Sequence, residues 1–166
     1  MFDTVMHGLL SPQNVGMIVR SHVALDGGPL IILGHERPWR FKKGTQAFSR
    51  KLERLCKITY LNTDEAFFEW CAVGGWQPVA IEIREDARPI CDLEWTSRPA
   101  IIMGNERTGL SDEFLLRCHD VARIPQFGAV GSLNVAVSHA IAAHEFKRGS
   151  NGVVHFDGGK YAVEST

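Results

Sequence analysis

Residues 99–115, PAIIMGNERTGLSDEFL, carry a strand, a polar turn and a helix start in one short run. Pro99 to Gly104 is almost unbroken apolar sequence, as expected of a strand buried on both faces. Ser111 is placed to cap a helix over 111–118. Asp112 and Glu113 sit in its first turn, where the helix dipole favours acids, and Leu110 and Leu115 can staple across the cap. A buried strand that turns straight into a helix predicts a parallel sheet, and the alternation continues in both directions.

Upstream, strands are expected at 3–8, 29–34, 57–61 and 78–83, and downstream at 120–125. Helical patterns fall at 12–26, 44–56, 63–73 and 131–147. Ser11-Pro12 gives the first of these a cap and a proline at its first position. Val15, Ile18, Val19, His22 and Val23 follow as a buried stripe. The fold class is therefore α/β, a parallel sheet covered by helices on both faces. The 166 residues read as one domain over 1–150, with a Gly-rich, polar tail over 151–166 that is either disordered or an added edge strand.

Hydrophobic residues make up 45% and charged residues 22%, an ordinary globular balance with net charge −1. No apolar run reaches the length of a membrane span. The first residues contain Asp3 and no basic region, so they do not read as a secretory signal. Cys56, Cys71, Cys91 and Cys118 show no metal-ligand spacing, which points to reduced thiols, a cytoplasmic protein and no metal. His7, His22 and His139 likewise lack ligand spacing and read as core, surface or interface residues. Charge is uneven, however. Arg37, Arg40, Lys42, Lys43, Arg50, Lys51, Arg54 and Lys57 form a basic segment interleaved with Trp39 and Phe41, which suits a nucleic-acid surface.

Three short motifs could carry chemistry. In NVGMIVR (14–20), Gly16 and Arg20 share a helix face, so Arg20 would lie over bare backbone, an open floor for a phosphate. Gly16 weakens a helix and so asks for a reason. In the 104–110 turn, Gly104, Asn105, Glu106 and Gly109 lie at a strand's carboxyl end, where α/β proteins usually bind ligands. In GSLNVAVSHAIAAHE (131–145), Ser132 alone reads as a helix cap. Asn134, inside the expected first turn, gains nothing there as a cap.

In this order and spacing, Asn14-Val15-Gly16 with Arg20, Gly104-Asn105-Glu106 with Gly109-Leu110, and Ser132-Leu133-Asn134-Val135 resemble the motifs of the SPOUT superfamily. The matching branch is SpoU/TrmH, RNA 2′-O-ribose methyltransferases, and the likeness spans residues 1–147. It implies a C-terminal deep trefoil knot and S-adenosylmethionine as cofactor. It places that cofactor near Met103, Gly104, Asn105, Gly109, Ile124, Gly131, Ser132 and Leu133. It implies Arg20 as the catalytic residue, with Asn14 and Asn134 orienting the ribose and Arg20. Glu106 would hold Arg20 or nearby backbone, and Ser132 would order the site. Arg20, Arg40, Lys42 and Lys43 would meet RNA, with tRNA the first candidate and rRNA the alternative. A homodimer through the first and the knot helices is implied as well. The chain resembles the minimal, single-domain members.

Two other classes compete. A non-catalytic RNA-binding protein on the same scaffold is disfavoured by the intact motif residues. A small nucleotide-binding oxidoreductase is disfavoured because no GxGxxG follows the first strand.

Overall fold

The computed structural model describes residues 1–35 and 39–149. Arg37 of the basic segment and the 151–166 tail lie outside the described residues. Among the described residues, seven parallel strands form one sheet: β1 (Asp3–His7), β2 (Leu30–Leu33), β3 (Ile58–Leu61), β4 (Gln77–Ile81), β5 (Arg88–Pro89), β6 (Pro99–Met103) and β7 (Asp120–Arg123). Their order across the sheet is β3-β2-β1-β6-β4-β7-β5. The short edge strand β5 has no counterpart in the sequence-based reading. The helices are α1 (Pro12–Ala24), α2 (Lys43–Ser49), α3 (Asp64–Gly74), α4 (Asp112–Leu115) and α5 (Val135–Gly149).

Strand alternation splits the core into two layers. On β6, Ile101 and Met103 face Ala142, Ala143 and Phe146 of α5. Ala100 and Ile102 point the other way, towards Phe67 and Cys71 of α3 and Phe114 of α4. Every residue of β2 and β6 is buried, as their unbroken apolar sequence requires. Helices thus cover both faces, with α1 and α5 on one and α3 and α4 on the other.

Buried polar contacts pin α1 and α5 to β1. The Thr4 hydroxyl lies 2.8 Å from Nδ1 of His22 and 2.9 Å from Nε2 of His139. Ser21 Oγ is 2.8 Å from the other nitrogen of His139, and His22 Nε2 donates to the Gly28 carbonyl at 2.9 Å. Burial pushes the pKa of both imidazoles down, that of His139 to about 3, so both are neutral core groups.

Three local expectations are corrected. The 44–56 helix is two pieces, α2 and a 3-10 turn at Leu52–Leu55, because Arg50 and Lys51 adopt left-handed backbone (φ 55° and 64°). The break is held by buried Ser49, whose Oγ donates to Glu53 Oε2 (2.6 Å) and accepts from Lys51 N (3.2 Å). The helix expected at 111–118 is short, ending at Leu115, although Ser111 caps it by accepting from Phe114 N. The last helix starts at Val135 rather than 131. Its cap is Asn134, whose Oδ1 accepts from Ala136 N (2.9 Å) and Val137 N (3.4 Å), so Ser132 is not the cap.

Candidate functional site

The sheet reverses direction of growth at β1, which has β2 on one side and the late strand β6 on the other. At such a point the connections leaving the carboxyl ends diverge and open a crevice. Here β1 runs out into Gly8–Ser11 and β6 into Gly104–Leu110. Asn105 ties the two exits together: its Nδ2 donates to the Gly8 carbonyl, and its Oδ1 accepts from Arg107 N (2.9 Å) and Thr108 N (3.2 Å). The Asn105 carbonyl accepts from Gly109 N (2.9 Å), closing the turn. A Cβ on Gly104 would lie 2.8 Å from the Gly109 carbonyl carbon. The loop itself packs against Gly104, which must therefore lack a side chain for the turn to close.

Glu106 anchors the start of α1. Its Oε2 accepts from Leu10 N and its Oε1 from Ser11 N and Asn14 Nδ2, all at 3.0 Å. Burial alone would raise its pKa, but these three donors overcome that and hold the carboxyl below the usual range. Asn14 Oδ1 in turn accepts from Asn134 Nδ2 at 3.0 Å. A continuous chain of side chains therefore joins the three motifs, Glu106 to Asn14 to Asn134. Because Asn14 must donate to a carboxylate, its carbonyl oxygen is the atom left for Asn134, and both amides are held in one orientation.

Beside this chain lies a cavity of about 430 Å³. Met103, Gly104, Asn105, Gly109, Ile124, Ser132 and Leu133 all line it, together with Asn14, Glu106 and Asn134. Gly131 does not line it and is exposed on the loop before α5. The sequence reading missed Glu82, Gln126 and Ser138, which also line the cavity. Glu82 had a readable signal, a carboxylate directly after the apolar run of β4.

Arg20 is elsewhere. It is exposed, makes no hydrogen bond or ion pair among the described residues, and lines a separate groove of about 980 Å³ between α1, α2 and α5. It lies six positions beyond Asn14, which turns it some 120° around the helix. Within the chain, therefore, neither Glu106 nor the Asn14–Asn134 pair holds Arg20; of the two partners expected for Glu106, it is the nearby backbone that it binds. Nor is there an open floor beneath it. A Cβ on Gly16 would meet the Thr45 carbonyl oxygen at 2.5 Å and Ser49 N at 2.9 Å, so the glycine is there to let α2 press against α1.

Arg40, Lys42 and Lys43 are exposed, as are Arg50, Lys51, Arg54 and Lys57. Trp39 and Phe41 are instead partly buried against the core beneath α1, which removes them as free stacking platforms. The described residues contain no group of three side chains suited to a metal. None of their helices is long and apolar enough to cross a membrane.

Residues 2–144 match the family model described as the SpoU rRNA Methylase family. A curated relative, the tRNA (guanosine(18)-2′-O)-methyltransferase of Thermus thermophilus, is 35% identical over 81 residues, 49% of this chain and 42% of that protein. The AdoMet-bound rRNA methyltransferase of Sinorhizobium meliloti superposes with a TM-score of 0.81 at 28% identity, covering 89% of this chain and 56% of that one. A protein solved to study 2-OH methylation of C/U34 on tRNA gives a TM-score of 0.79 at 26% identity, covering 89% of this chain and 95% of that one. The chain spans about half the length of the curated relatives it matches.

Proposed function

The chain belongs to the SpoU rRNA methylase family, and from that membership we propose that it is an S-adenosylmethionine-dependent RNA 2′-O-ribose methyltransferase acting on tRNA. The observation that carries this reading is the Glu106–Asn14–Asn134 hydrogen-bond chain set beside a cavity at the sheet's switch point. The cavity suits the cofactor. Ile81, Met103, Ile124 and Leu133 offer apolar walls for a purine, Asn105 and Ser132 offer polar contacts, and the volume is in the range of small-molecule sites. When bound, S-adenosylmethionine supplies an electrophilic methyl group.

The protein's own residues then have distinct tasks. Glu106 fixes the loop into α1 and the orientation of Asn14. Asn14 and Asn134 present a locked pair of amides to the ribose, and Ser132 orders the rim of the cavity. Arg20, on a face of α1 turned away from this cavity, acts across the seam with a second copy, where it holds the substrate phosphate and steers the 2′-hydroxyl. A guanidinium stays protonated to beyond about pH 12, so positioning suits it better than proton abstraction. Arg40, Lys42 and Lys43 attract the RNA backbone.

The groove beside Arg20 is the surface for a second copy of the chain. Met17, Phe48, Val137 and Ile141 give it an apolar floor, and pairing there would set Arg20 at the seam of a homodimer. The C-terminal segment forms a trefoil knot in this reading. Support comes from β6 and β7, which each enter the sheet between strands that precede them in the chain. Four free cysteines suit a reducing, cytoplasmic setting.

The test is methyl transfer from radiolabelled S-adenosylmethionine to unmodified tRNA and rRNA transcripts, with sites mapped by resistance to alkaline hydrolysis. Label in tRNA as 2′-O-methyl is the expected result. Label confined to rRNA would change the substrate. RNA binding without any transfer would favour a non-catalytic RNA-binding protein.

A further inference from the structure

Glu82 has no part in the roles above, yet its half-buried carboxylate lines the cavity directly after β4. Its Oε1 accepts from Ile83 N at 2.9 Å and its Oε2 from Leu110 N at 3.0 Å. An ionised carboxylate has about four acceptor sites, so each oxygen keeps capacity to spare. Glu106, the other acid in the lining, is committed to three donors at the start of α1. Among the described residues, Arg107 is the one cationic side chain in the lining, and it is exposed. Arg84, two residues beyond Glu82, is paired with Asp86 and Asp112. Two backbone donors thus hold a negative charge, aligned in advance, at the wall of the cavity.

We propose that Glu82 is a specificity-determining residue: its charge makes the cavity prefer cationic S-adenosylmethionine over the neutral product S-adenosylhomocysteine. This rests on the cofactor assignment above. The two molecules share their hydrogen-bonding groups and differ by one methyl and one positive charge, so an uncharged wall could scarcely tell them apart. Were the sulfonium to bind within about 7 Å of this carboxylate, an effective dielectric of roughly 20–40 would favour the cation at least fivefold. Loss of the positive charge on transfer then weakens the hold on the product and eases exchange.

Glu82→Gln removes the charge at the same size: its amide oxygen can still accept from Leu110 N, and only the bond from the exposed Ile83 N is given up. Wild type and E82Q are titrated calorimetrically with S-adenosylmethionine, S-adenosylhomocysteine and sinefungin, an analogue bearing an amine cation in place of the sulfonium. Kd for the two cationic ligands should rise five- to tenfold in E82Q, while that for S-adenosylhomocysteine stays within twofold. An equal rise for all three ligands would reduce Glu82 to a support for the Leu110 loop and overturn the proposal. Unchanged affinities throughout would overturn it as well. A wild-type protein that binds none of the three would instead refute the cofactor assignment itself, a result visible without the variant.

Discussion

Asn134 donates from Nδ2 to Oδ1 of Asn14 at 3.0 Å, joining residues 120 positions apart in the chain. The same Asn134 caps α5 through its Oδ1. One side chain thus performs two tasks with its two ends, and substitutions can separate them. Asn134→Asp keeps the capping oxygen but sets an acceptor against the Asn14 carbonyl oxygen. It should melt within about 2 °C of wild type yet lose at least tenfold in methyl transfer. Asn134→Ala loses both, and the missing cap should cost about 1 kcal/mol, or roughly 2–4 °C in Tm. Circular-dichroism melts alongside the transfer assay would check both.

Arg20→Ala removes an exposed guanidinium with no partner among the described residues. Stability should change by no more than about 0.5 kcal/mol, and calorimetric S-adenosylmethionine binding should be unchanged. Methyl transfer should fall by a factor of about 100 or more. Near-normal turnover on a proven RNA substrate would remove Arg20 from the mechanism.

Gly16→Ala inverts the usual propensity rule. Alanine favours a helix by about 1 kcal/mol over glycine, but its Cβ would sit 2.5 Å from the Thr45 carbonyl oxygen. Backbone must move, so a net loss of about 1–3 kcal/mol is expected in urea denaturation. A gain in stability would show that α2 packs against α1 less closely than described.

Asp3 predicts a pH dependence. Its carboxylate is fully buried, and neither oxygen has a hydrogen-bond partner among the described residues. Burial pushes its pKa from 3.8 to about 7, only partly offset by the charges of Arg98, the amino terminus and Lys57. Between these values the unfolded chain has released the proton and the folded chain keeps it, so stability falls as pH rises from about 4 to 7. Asp3→Asn should be close to neutral below pH 4 and stabilising by roughly 2–4 kcal/mol at pH 7 and above. A stability difference that stays flat with pH would contradict this.

Arg40, Lys42 and Lys43 test the basic surface. Replacing all three with Ala should weaken RNA binding and lower the slope of log K against log salt by up to about 3. An unchanged slope would mark them as a solvated face.

Much of the architecture was legible because its signals are local. Apolar runs at 30–33 and 99–103 became fully buried strands. Ser11 and Ser111 cap the helices they introduce. Asn14, Glu106 and Asn134 were singled out through the resemblance that their motifs bear to the SpoU/TrmH branch. Their connections were not, because a hydrogen bond across 92 or 120 positions leaves no periodic trace. Arg50 and Lys51 are ordinary helix formers, and the break there depends on the buried Ser49–Glu53 contact.

By itself, then, the sequence determined the alternation of strands and helices, the parallel sheet, and which short motifs stand at strand and helix ends. These follow from hydrophobic period and capping chemistry, which act over a few residues. Only the tertiary structure decided that Gly16 is filled by α2, that Arg20 faces a groove apart from the cavity, and that Glu82 lines the cavity wall. Those facts are distances between elements, set by how closely two helices pack and which loops the sheet brings together.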